Sequence, residues 1–196
     1  MMVTMIAELI KKNRSCRRFD QNHGITPETI RELIDLARFS ASAANRQPLK
    51  YIISTNPDKN EEIFACLAWA AYLKSWPGPG PGERPAAYII ITGDIRISNN
   101  FWCDHGIASQ SILLGAREKG LAGCIFGAIN KPKLKQICSI PDELEILLVL
   151  AIGKPIEKTV LEQVGPDGDI KYWRDEKRIH HVPKRTREEV IFGSFE

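Results

Sequence analysis

Two short stretches of this chain carry residue types suited to holding a small molecule. The first is Ser42-Ala43-Ala44-Asn45-Arg46-Gln47-Pro48. Its small residues let the backbone come close to a ligand. Asn45 and Gln47 each present a carbonyl acceptor and an amide donor, the paired edge that a flat heterocycle requires. Pro48 stops the preceding helical path and commits the chain to an extended segment. A polar helix-to-strand loop would have the same composition. The second stretch, Asn13-Arg14-Ser15-Cys16-Arg17-Arg18-Phe19, gives the first its weight.

The elements around these stretches follow from periodicity. Met5, Ile6, Leu9 and Ile10 have helical spacing, with Thr4 as a cap. Thr26 and Pro27 are an N-cap and a first helical residue. They open a helix whose apolar face is Ile30, Leu33, Ile34 and Ala37. Residues 49–54 read as a strand, and Asn56-Pro57 opens a helix expected to run to about Leu73. Residues 75–85 hold four prolines and three glycines and form a surface loop, either a connector or a rim carrying Trp76. Residues 86–92 and 121–126 read as strands and residues 130–138 as a short helix. Residues 104–119 form a helix that is apolar or small around nearly its whole circumference, which suits a protein centre or a subunit interface. Ile146-Leu147-Leu148-Val149-Leu150-Ala151-Ile152 is a strand buried on both faces. Beyond Pro155 the chain reads as a polar, irregular arm, residues 156–196. The expected architecture is one α+β domain over residues 1–196, with a mixed central β-sheet flanked by helices on both sides.

Composition narrows the function. The 196 residues are 43% hydrophobic and 26% charged, as in a globular protein, and no apolar run is long enough to span a bilayer. The first residues lack a basic n-region and do not read as a signal peptide. Five cysteines include no Cys-x-x-Cys pair, which predicts reduced thiols in a cytoplasmic protein and no structural metal. The net charge of +3 does not suggest nucleic-acid binding. Between Lys171 and Arg187, however, seven basic side chains stand against two acids. That run is either a solvated tail or a phosphate-binding arm.

With these residues in order, the chain resembles the nitroreductase family of flavin enzymes. The family's Arg-Arg-Ser-x-Arg corresponds to Asn13-Arg14-Ser15-Cys16-Arg17, followed by the aromatic Phe19. Its Pro-Ser-x-x-Asn-x-Gln-Pro-Trp corresponds to residues 41–49, and its Asp-x-Gly to Asp104-His105-Gly106. Gly120-Leu121-Ala122-Gly123-Cys124-Ile125-Phe126-Gly127 matches its Gly-Leu-Gly-x-x-x-x-Gly. Ile152-Gly153-Lys154-Pro155 and the basic pair Lys184-Arg185 before Glu188-Glu189-Val190 complete the series. Three positions depart from the pattern: Asn13 replaces an arginine, Ala44 a glycine and Leu49 a tryptophan.

The resemblance implies a nitroreductase-like fold, a homodimer and FMN at the subunit interface, with NAD(P)H as co-substrate. Asn13, Arg14, Ser15, Lys184 and Arg185 would meet the phosphate and ribityl chain. Arg17 would place a cation near flavin N1 and the C2 carbonyl. Ser42, Ala43, Asn45 and Gln47 would line the ribityl and pyrimidine edge, partly from the other subunit. Ile125 and Phe126 would cover a ring face, and the N–H of Gly127 or Ala128 would point at N5. Hydride would pass through N5 in a ping-pong cycle to a nitroaromatic, a quinone or another electron-poor acceptor. A specialised flavin dehydrogenase, a reductive dehalogenase and a low-turnover FMN-binding protein are the alternatives. Cys103-Asp104-His105 could suggest a nucleophile with its base, but adjacent helical residues diverge. His180 and His181 read as exposed tail histidines, and Cys124 as a small buried hydrophobe.

Overall fold

The computed structural model describes residues 6–195. The proposed cap Thr4 and the first residues of the opening helix lie outside that range. Helix α1 is Ile6–Lys12, and α2 is Pro27–Arg38, with the Thr26 side chain accepting from the Thr29 N–H. A 3₁₀ turn at Ala43–Asn45 leads into β2, Leu49–Ser54; the short strand β1, Phe19–Asp20, precedes α2. Then follow α3 (Pro57–Phe64), β3 (Ala87–Asp94), α4 (Asp104–Glu118), β4 (Ala122–Phe126), α5 (Lys131–Ile137) and β5 (Leu144–Pro155).

The central sheet runs β2–β3–β5–β4, with β1 pairing the last two residues of β5. All of these pairings are antiparallel. The α+β class is as expected, but the sheet is not mixed. β2 and β3, joined through α3, pair antiparallel, and β3 and β4, joined through α4, each pair antiparallel with β5. Alternation along β3 divides the interior in two. Ile89 and Ile91 face Ile30, Leu33, Ile112 and Ala116 of α2 and α4, whereas Tyr88 and Ile90 face Ile63 of α3 and Leu134 of α5. Each such aliphatic side chain contributes about 1.5–3 kcal/mol by leaving water. Gly123 allows α4 to lie on β4, because a Cβ there would fall 2.5 Å from Leu113 Cδ2 and 2.6 Å from the Ala151 carbonyl oxygen.

Two expectations about length fail. Helix α3 ends at Phe64, well short of Leu73, because Leu67 turns to form a bridge with Ile129 and Ala70 adopts a φ of 41°. The arm after Pro155 is not irregular. It folds into a second sheet, β6–β8–β7, made of Thr159–Gln163, His180–Lys184 and Trp173–Arg174, and ends in the short helix α6, Arg187–Val190. β6 and β8 pair parallel, the one parallel ladder among the described residues. Trp76, expected to be exposed, is half-buried, edge-on to Trp69 and covered by the Arg174 guanidinium at 4.1 Å.

Candidate functional site

The segment between α1 and β1 is fixed at several points. The Cys16 N–H donates to the Gly123 carbonyl at 2.9 Å, and the Arg17 N–H donates to Glu157 Oε2 at 2.8 Å. Arg18 forms a two-pronged ion pair with Glu83, at 2.7 and 2.6 Å, which lowers the Glu83 carboxyl below its ordinary range. Burial pushes the Cys16 thiol up to about 12, so it remains an inert core group. These anchors leave Arg14, Ser15 and Arg17 facing a cavity of about 260 Å³.

Gln110 and Leu113 of α4 and Ile125 of β4 complete one wall. Tyr172, His180, Val182 and Lys184 of the arm form the other. Among the described residues, three cations line this cavity and no carboxylate does. The buried Arg14 Nε has no partner among the described residues, and burial lowers the Arg14 guanidinium from its ordinary value. An anion meeting Arg14, Lys184 and the exposed Ser15 hydroxyl would satisfy that donor. Ile125, 41% exposed, supplies an aliphatic face. A larger cavity of about 370 Å³ opens beside α3, but its cation, Arg84, is already paired with Glu61.

Arg17 is the centre of the site. It is buried, its Nη1 lies 3.3 Å from His180 Nε2, and its guanidinium stands 4.6 Å from the Tyr172 ring centroid. Glu157 bonds the Arg17 backbone with one oxygen and Arg174 with the other, at 2.5 Å to Nη2. The arm therefore clamps Arg17 through two contacts and its main chain through a third. His180 is 1% exposed and His181 half-buried, stacked on Trp173 and bonded to Glu162. Neither is an exposed tail histidine.

The second motif is built separately. Ser42 Oγ donates to Asp104 Oδ2 at 2.6 Å, and the Ala43 N–H donates to Asp104 Oδ1 at 3.0 Å. Ser42 Oγ also accepts from the Gln47 N–H. Ala44, Asn45 and Gln47 all have φ near +50°, a costly set of conformations without glycine. Asp104, buried at the start of α4, is therefore the post that holds this loop, and it takes no part in a Cys103-Asp104-His105 site. The Asn45 and Gln47 side chains are exposed and bond each other at 3.1 Å. Gln110, which accepts from Asn13, is six residues further along α4, about 9 Å at 1.5 Å per residue. Within one chain, residues 42–47 do not line the Arg17 cavity.

Several expected residues sit elsewhere. Phe126 is 4% exposed and packs edge-on against Trp69 at 4.6 Å, on the face of β4 opposite Ile125. Strand alternation forbids both from covering the same ligand face. Gly127 and Ala128 are exposed beyond the strand. Arg185 turns to Glu189 at 3.4 Å and leaves Lys184 as the cation of that pair on the cavity. Asn13, by contrast, lines the cavity, with its amide buried against Gln110. Tyr172, His180, Glu157 and Asp104 were not foreseen in these roles. For the first three the only signal was the density of aromatic and charged residues in a stretch without helical or strand period.

A model of the Nitroreductase family matches residues 10–154 of the chain. An oxygen-insensitive NADPH nitroreductase of Helicobacter acinonychis (strain Sheeba) is 33% identical over 199 residues, covering 85% of this chain and 95% of that protein. The crystal structure of a nitroreductase family protein from Streptococcus pneumoniae TIGR4 superposes with a TM-score of 0.67 at 19% identity, over 87% of this chain and 100% of the other. An FMN-dependent nitroreductase from Clostridium difficile R20291 gives 0.63 at 18% identity, over 78% and 89%.

Proposed function

Since the chain belongs to the nitroreductase family, we propose that it is an FMN-dependent oxidoreductase that uses NAD(P)H to reduce nitroaromatic, quinone or similar electron-poor acceptors. One observation carries the reading: a cavity lined by Arg14, Arg17 and Lys184 with no carboxylate, and with an unpartnered guanidinium Nε inside it. The donor set fits FMN. Arg14, Ser15 and Lys184 would hold the phosphate, Ile125 would support the ring, and Arg17 would face its electron-rich edge. Bound FMN supplies the chemistry, taking a hydride at N5 and passing electrons to the acceptor. The protein's own part is to orient the ring, exclude water and stabilise negative charge with Arg17.

The cavity in one chain, about 260 Å³, falls below the roughly 300–1,000 Å³ of pockets that enclose a ligand of this size. We therefore place the rest of the cofactor against a second copy of the chain, whose residues 42–47 would close the site. A titration with FMN and with riboflavin tests the proposal. FMN should bind far more tightly, since only it carries the dianion. Equal affinities, or no binding of either, would refute it.

A further inference from the structure

Arg17, Arg18 and Arg174 are all largely withdrawn from water, and they differ in their partners. Arg18 pairs with Glu83, and Arg174 pairs with Glu157. The Arg17 guanidinium meets no carboxylate among the described residues. Its polar contact is His180 Nε2, on an imidazole that burial holds down to about 4 and therefore neutral at pH 7. An acid is nevertheless at hand. Glu157 follows β5 with its side chain wholly buried, and its Oε2 accepts from the Arg17 N–H at 2.8 Å. It holds the main chain of Arg17 and not the guanidinium. Its other oxygen is taken by Arg174, at 3.1 Å from Nε and 2.5 Å from Nη2. Arg174 is fixed in turn. Its guanidinium lies 4.1 Å from the Trp76 ring centroid, and its backbone stands opposite His180 in the β7–β8 ladder.

We infer that Glu157 and Arg174 are positioning residues of the flavin site: Glu157 fixes the main chain of Arg17, and Arg174 occupies the same carboxylate so that the Arg17 guanidinium stays unpaired for the flavin. The inference rests on the FMN reading. A buried carboxylate with a single N–H for a partner is costly, and it draws in the nearest cation. Without Arg174 that cation is Arg17 itself, whose guanidinium is one side chain away from the bond Glu157 already makes. Paired with Glu157, Arg17 would bring no net charge to the cavity. It would then lose the preference for reduced flavin that an unpaired cation gives. Arg174 removes this competition and cancels the field of the carboxylate. Both residues lie beyond residue 154, where the match to the family model ends, so the device belongs to the arm.

Two substitutions separate charge from packing. E157Q keeps an oxygen for the Arg17 N–H and removes the negative charge. R174M keeps the stem over Trp76 and removes the positive one. The quantity read is the ratio of reduced to oxidised FMN affinity, taken from the reduction potential of the FMN-loaded protein. In E157Q the ratio should rise about 3-fold, and in R174M it should fall about 10-fold, which is about 30 mV for a two-electron couple. R174K, which keeps the charge, should restore most of the loss. E157Q/R174M should stay within about 2-fold of the wild type, because neither charge is left alone. Shifts of the same sign in the two single variants, or no shift in either, would mean that the pair only packs the arm, and would overturn the inference. If the single variants do not fold, the double variant decides. A ratio within about 2-fold of the wild type supports the inference, and a departure of about 10-fold or more overturns it. A wild type that binds FMN and fails these comparisons overturns this inference alone; one that takes no FMN overturns the flavin reading with it.

Discussion

Arg17 is the residue on which the redox reading depends. Its guanidinium is held between the Tyr172 ring and His180, so it cannot swing out to meet a phosphate elsewhere. Removing its charge penalises the reduced flavin more than the oxidised one. R17A should make the potential about 30–60 mV more negative, the equivalent of about 1.5–3 kcal/mol for a two-electron couple. Oxidised FMN should remain bound with a modest loss. An unchanged potential with both redox forms bound more weakly would assign Arg17 to the phosphate instead. His180 adds a pH signature. Its folded value of about 4 lies below the ordinary 6.5, so the unfolded chain takes up the proton first. The contribution is fully favourable above pH 6.5 and is lost as pH falls towards 4. His181 acts in the opposite sense, because its bond to Glu162 raises it, and its stabilisation is lost as pH rises. Subtracting the stability of H180Q from that of the wild type cancels the His181 term. The difference, measured by urea unfolding, should fall by up to about 3 kcal/mol between pH 7 and 4. A flat difference would show that His180 is not held neutral.

Among the elements, β8 determines what the arm can do. It brings His180, Val182 and Lys184 to the cavity on one face of the strand. His181 and Pro183 alternate with them. The basic pair Lys184-Arg185 thus separates in function, since neighbouring residues leave a strand in opposite directions. K184A should weaken FMN by about 10-fold and leave riboflavin almost unchanged, because a charge-assisted contact to phosphate is lost. R185A should change neither by more than about 2-fold. Equal effects of the two substitutions would contradict the assignment. The helices and the four main strands were legible in the sequence because periodicity and caps coincide: Thr26-Pro27 opens α2, and the run 146–152 forms the middle of β5. The arm was not legible. Pro183 lies within β8, and it is tolerated there because β7 pairs only with His180 and His181. Antiparallel pairing was equally hidden, since it depends on how the chain returns and not on which residues are apolar. For the candidate site, the motif marked by residue type at 13–17 contributes Asn13, Arg14, Ser15 and Arg17 to one cavity. The clamp on Arg17 was not legible, because Glu157, Tyr172 and His180 come from positions 140 to 163 residues away, with no local pattern linking them to it.

At the scale of the whole molecule, one chain leaves too much apolar surface uncovered. Phe39 is 71% exposed and Trp102 64%, and Phe192 and Phe195 near the end of the arm are fully exposed. Ile107 and Leu114 of α4 are only half-buried, on a face that the sequence marked as apolar. A second copy covering these residues would bury them and could bring its residues 42–47 to the Arg17 cavity. Sedimentation at micromolar concentration should therefore give a dimer, and F192S/F195S should weaken it. A wild-type monomer that still binds FMN would contradict the shared site. The most direct test of the oxidoreductase reading is anaerobic reduction of the FMN-loaded protein, followed at the flavin absorption band. NADPH or NADH should bleach the band, and addition of a nitroaromatic or a quinone should restore it. A protein that binds FMN but is not bleached by either nucleotide would contradict the account.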